Sequence, residues 1–91
     1  MARVLLHYDI ANAEFRTKFQ TAITAPEFSP QFQKETESVY CASFNTTDDN
    51  LKKAVATLRS AAKNAPPGTK IKMEHPTTWN GRPEIEQTVI V

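Results

Sequence analysis

The sequence predicts an α+β domain in which two helices cover one face of a mainly antiparallel sheet with an extra strand at its C-terminal end. Three observations predict it. Apolar residues recur at helical spacing in two places, Phe15-Phe19-Ile23 and Leu51-Ala54-Val55-Leu58-Ala61-Ala62. Each helix therefore has a single apolar stripe, and both stripes can be buried against the same sheet face. Around them lie strand-like runs at residues 3–10, 37–45, 69–75 and 84–91, marked by two-residue alternation or by β-branched and aromatic composition. The order strand, helix, short strand, strand, helix, strand, strand, with right-handed crossovers, is that of a ferredoxin-like α/β sandwich.

Each element has a local cause. In residues 3–10, Val4, Leu6 and Tyr8 share one face, and Arg3, Leu5, His7 and Asp9 share the other. Asn12 is a helix N-cap, and the helix must stop near Thr24-Ala25 because Pro26 disfavours helical geometry in the residue before it. Residues 26–36 hold two prolines and predict a loop with a short strand near Phe32. Thr46-Thr47-Asp48-Asp49 caps the second helix and places acids in its first turn, where the helix dipole favours negative charge. Asn64-Ala65-Pro66-Pro67-Gly68 ends it. Thr69 to His75 alternates, with Ile71 and Met73 inward and Lys70, Lys72 and Glu74 outward. Residues 76–83 predict a turn or loop around Asn80-Gly81.

Composition bounds the function. The 91 residues make one domain, 1–91, with room for one modest core, so association with a second copy would add useful stability. A net charge of +1 is not the strongly basic balance of a dedicated nucleic-acid binder, although a local patch can act without it. The single cysteine, Cys41, allows no internal disulfide and fits a reducing compartment. No apolar run approaches the ~20 residues of a membrane span, and His7 and Asp9 interrupt the only run near the N-terminus. These features predict a cytoplasmic protein without a membrane partner.

The landmarks also resemble a known family. A first strand ending Tyr8-Asp9-Ile10, a helix, the run Glu37-Ser38-Val39-Tyr40 and an acid-capped amphipathic helix are similar to the CRISPR-associated protein 2 superfamily, which takes in VapD-type toxins and solitary homologues. The likeness runs from the first strand through the second helix. It implies a ferredoxin-like homodimer that acts on DNA or RNA, either as a metal-dependent endonuclease or as a non-catalytic scaffold. In the members said to cut, the first-strand aspartate of each protomer faces its mate and holds a divalent metal, Mg or Mn. Asp9 matches that position and is the catalytic and metal-ligand candidate that the resemblance implies. The family's arginine pair after this aspartate is replaced by Ala11-Asn12-Ala13, and its glycine and glutamine before the second landmark are absent.

The residues themselves carry plain readings beside sharper ones. Asp9 can cap the turn into the helix, or two copies across a dimer axis can complete an oxygen-rich metal site. His7 shares its face and can act as acid, base or ligand, or simply pack in an interface. The expected topology brings Lys70 towards Asp9, as a salt bridge, and leaves His75 near Arg3. Arg16, Lys18, Lys52 and Arg59 are the candidate phosphate contacts, with Lys53 and Lys63 nearby, and they equally describe solvated helix faces. Cys41 reads as a small core residue. Trp79 beside Asn80-Gly81-Arg82 reads as a recognition loop or as a lid on the core's edge. The uncovered sheet face carries Leu5 and His7 and predicts a dimer surface. Two functions remain open: a dimeric nucleic-acid-associated protein, or a protein-interaction module that binds or inhibits a protein partner without catalysis.

Overall fold

Alternation in the first strand sets the sheet. The computed structural model describes residues 2–79 and 81–91, without the side chains of Thr78 and Trp79. It contains β1 (Ala2–Ile10), α1 (Ala13–Thr24), β2 (Gln33–Lys34), β3 (Val39–Phe44), α2 (Asp48–Ala61), β4 (Thr69–Trp79) and β5 (Arg82–Val89). Val4, Leu6, Tyr8 and Ile10 point into the core and Arg3 and Asp9 point out, so β1 buries one face only. The five strands form one sheet in the order β2-β3-β1-β4-β5, and every neighbouring pair is antiparallel. Both helices cover the same face, as their single stripes require. The result is an α+β fold consistent with a ferredoxin-like sandwich, extended at one edge by β5.

The caps follow the sequence. Asn12 Oδ1 accepts the Phe15 N–H at 2.8 Å, and Thr47 Oγ1 accepts the Asn50 N–H at 3.2 Å. Each satisfies an orphan donor in a first helical turn, worth about 1 kcal/mol. Phe19 and Ile23 of α1 and Ala54 and Leu58 of α2 meet Leu6, Ile71 and Met73 of the sheet, all nearly inaccessible. Full burial of side chains such as Leu6 or Phe19 is worth about 1.5–3 kcal/mol each. The short strand near Phe32 forms at Gln33–Lys34, and Phe32 itself is buried, its N–H donating to the Ile23 carbonyl at 2.9 Å.

One polar device ties the layers together. The Tyr8 hydroxyl donates to the Glu37 carbonyl at 2.8 Å and accepts from Gln20 Nε2 at 2.6 Å. The Tyr8 ring lies 5.7 Å from that of Tyr40. Burial, with Tyr8 beside it, pushes the Tyr40 phenol up to about 12. The unfolded chain would ionise this group near ~10, so the folded state holds the proton longer. That contribution to stability is complete below pH ~10 and is lost as the pH rises towards the folded value. The urea midpoint should therefore fall over this window, and fall less in Tyr40→Phe.

The loop expected at residues 76–83 is corrected at both ends. Residues 76–79 are not loop. β4 continues through them, with Thr77 opposite Glu84 and Trp79 opposite Arg82, and β5 begins at Arg82. Pro76 is tolerated because β1 pairing ends at Leu5 opposite Glu74, so no strand needs its missing N–H on that side. Gly81 has φ +75°, which glycine adopts without strain. The Asn80 half of the expected turn and the Trp79 side chain lie outside the described residues. At the far end, the Ile90 and Val91 N–H groups both donate to the Ile71 carbonyl, at 2.8 and 3.2 Å, and Ile71 N–H donates to Val91 at 3.3 Å. Two residues thus oppose one, a β-bulge that ends the regular ladder. No helix among the described residues is long and apolar enough to cross a membrane.

Candidate functional site

The two-residue period that fills the core also decorates the helix-free face. β1 places Arg3, Leu5, His7 and Asp9 there. The register sets Leu5 opposite Cys41 and Glu74, His7 opposite Val39 and Lys72, and Asp9 opposite Lys70. On β5 it sets Val89 opposite Lys72, Gln87 opposite Glu74 and Ile85 opposite Pro76. Three large apolar side chains are left in water: Ile85 and Val89 at 63% exposure each, and Val91 at 42%. They are the exposed large hydrophobics among the described residues, and Ile85 and Val89 lie on this face of β5.

The face has a shallow concavity of about 520 Å³ lined by His7, Asp9, Lys70, Lys72, Val89 and Val91, among others. Its rim is polar. Gln87 Nε2 donates to Glu74 at 3.1 Å, and Lys72 Nζ donates to Gln87 Oε1 at 3.5 Å. His7 Nε2 is enclosed but lies 3.7 Å from the Glu74 carboxylate, too far for a hydrogen bond.

Asp9 sits at the exposed end of β1 as expected, and His7 lies two residues before it on the same face. Lys70 is its register partner, but their charged groups form no ion pair, so the expected salt bridge is absent. Among the described residues no three His, Cys, Asp or Glu side chains are grouped to hold a metal ion. Asp9 alone contributes one carboxylate to any Mg or Mn site. His75 is buried under the helix layer, on the opposite face from Asp9.

The basic candidates are dispersed. Arg16 donates to the Ile10 carbonyl at 2.9 Å, Lys18 pairs with Glu14 at 3.4 Å, and Arg59 donates to the Val89 carbonyl at 3.0 Å. Lys52 and Arg59 line a groove shared with Asp48 and Glu86, and Arg16 lines another with Asp9 and Glu37. Each groove mixes both signs of charge.

Cys41 is not a core residue. Tyr40 and Ala42 take the inward positions of β3, so Cys41 points to the open face, half-buried. Its thiol donates to Glu35 Oε1 at 3.0 Å, and Arg3 pairs with the same oxygen at 2.8 Å. The carboxylate hydrogen bond pushes the thiol up from its usual range, and the Cys41 and Arg3 contacts hold the Glu35 carboxyl down. A thiolate is the reacting form, so Cys41 should alkylate slowly with iodoacetamide at pH 8. Glu35→Gln should speed it several-fold; an unchanged rate would contradict the contact.

The apolar face of β5 is the feature that sequence reading passed over. The signal was present in the alternation Ile85-Glu86-Gln87-Thr88-Val89. No protein-family model, curated protein or solved structure matches the chain.

Proposed function

We propose that the chain is a non-catalytic protein-interaction module whose working surface is the helix-free face of the sheet. The carrying observation is the exposure of Ile85 and Val89 on one face of β5, with Val89 and Val91 lining the concavity on that face. Exposed apolar surface rimmed by polar residues marks interaction sites. The basic side chains support this reading from the other direction. Three of the four candidate phosphate contacts already bond within the chain.

Two experiments test it. Wild-type protein immobilised on resin should retain a protein from a lysate of its own cells, and Ile85→Lys with Val89→Lys should lose it. Mobility shifts with duplex DNA, single-stranded DNA and RNA should show no saturable binding at low salt. Binding that falls steeply with salt would replace this reading with a nucleic-acid one.

A second reading rests on Asp9. It is exposed, lies in the concavity and occupies the position implied by the likeness to the CRISPR-associated protein 2 superfamily. A metal-dependent nuclease working through it would need a second copy to supply more oxygen ligands. In that case Asp9→Asn abolishes Mg²⁺-dependent cleavage with the melting curve unchanged. Under the interaction reading, wild type and Asp9→Asn both leave DNA and RNA intact.

A further inference from the structure

The two edges of the sheet are unlike. β2 is two residues long and carries Lys34, a short charged edge of the kind that resists further pairing. β5 is eight residues long and has β4 on one side only.

The register says which of its backbone groups are free. Ile71 turns its N–H and carbonyl towards the end of β5, so alternate residues of β4, at 71, 73, 75 and 77, face that strand. Their partners Thr88, Glu86 and Glu84 face back. The intervening Ile85, Gln87 and Val89 must then present their N–H and carbonyl groups outward. Arg59 confirms the direction independently, since it reaches from α2 to the Val89 carbonyl. Pro83 falls at the next outward position, where its missing N–H shortens the free edge at one end.

We infer that this edge pairs with the same edge of a second copy, antiparallel about a two-fold axis at Gln87, to form one ten-stranded sheet. This goes beyond the proposed use of the open face, because it uses the strand's edge.

Side chains choose the copy and the register. With the axis at Gln87, Ile85 lies opposite the partner's Val89, and the reverse, so apolar meets apolar on the open face. On the helix face, Glu86 lies opposite the partner's Thr88, beside the carbonyl where Arg59 sits. The acids of β5 lie towards its start and the α2 guanidinium lies at its end, so antiparallel self-pairing brings opposite charges together. An axis one residue earlier would put Glu86 against its own copy, and like charges directly opposite are destabilising. Val89 need not release Arg59, because a carbonyl oxygen has two lone pairs.

The pairing also bears on Asp9. In such a sheet the two β1 strands stand five strand spacings apart, about 24 Å. Two Asp9 carboxylates that far apart share no metal ion.

The test is backbone amide exchange on the whole chain, with sedimentation velocity beside it. The expected species has twice the 10.2 kDa chain mass. Its Ile85, Gln87 and Val89 amides become protected as protein concentration rises. Gln87→Ala loses the side-chain bonds to Glu74 and Lys72 but keeps the N–H and should stay dimeric; Gln87→Pro loses the same bonds and also the outward backbone donor, and should sediment as a monomer. A wild-type monomer at 100-fold dilution steps up to its solubility limit overturns the inference. So does a dimer in which those three amides exchange freely. Neither variant alters Ile85, Val89 or Val91, so retention of a protein partner by monomeric Gln87→Pro preserves the open-face reading separately.

Discussion

Phe19→Ala is expected to cost about 3–5 kcal/mol, the range for truncating a buried core aromatic. Phe19 is 1% exposed. Its ring meets Tyr8 edge-on at 6.2 Å and stacks on Phe15 at 6.2 Å, so it joins α1 to the central strand. Removing it leaves a cavity where the helix crosses β1. Domains of this size are stable by only about 5–15 kcal/mol, so the variant loses a large share of the total. Urea unfolding followed by far-UV circular dichroism reads the change. A loss below about 1 kcal/mol would mean that α1 is not anchored through this residue, since core aromatic truncations cost several times more.

The second large effect is on association. Ile85→Lys combined with Val89→Lys is expected to eliminate capture of the protein partner while the unfolding free energy of the monomer, compared at concentrations too low for self-association, changes by no more than about 0.5 kcal/mol. Both side chains are 63% exposed, so the monomer loses little by their replacement. A partner, by contrast, would have to desolvate two ammonium groups to cover the same surface. Equal loss of folding stability and of capture would show that the residues act in the monomer. Full capture by the double variant would place the working surface elsewhere.

Much of the fold was legible because its causes are local. The period of two in residues 3–10 assigned Val4, Leu6 and Tyr8 to the core and Arg3 and Asp9 to the open face, as observed. Asn12 and Thr47 were readable as caps because a cap needs only one side-chain oxygen near its own helix. Cys41 was misplaced for a tertiary reason. Cysteine is usually buried, but here the inward positions of β3 belong to Tyr40 and Ala42, and register with Gln33 and Leu5 puts Cys41 beside Glu35 and Arg3. Pro76 likewise misled, because proline argues against a strand until it is known that β1 stops short of it.

The candidate site was less legible. Leu5, His7, Asp9, Lys70, Lys72 and Glu74 were assignable to one face by alternation alone. Their neighbours across the strands were not, because cross-strand distance depends on register and hairpin length. The pairing of β5 with β4 brings Ile85 and Val89 onto that face, next to Pro76 and Lys72. Arg59 illustrates the same limit: nothing in its own helix marks it as a guard on the edge of β5, thirty residues away.

By itself, then, the amino-acid order determined which segments become helix and strand, where the helices begin, and which side of each early strand is apolar. These depend on neighbours within a turn or a pleat. The tertiary structure alone decided that β5 is a long free edge with its apolar residues exposed, and that Asp9 stands opposite Lys70 without an ion pair. Those outcomes depend on how strands line up across the sheet, and register is set by contacts between residues far apart in sequence.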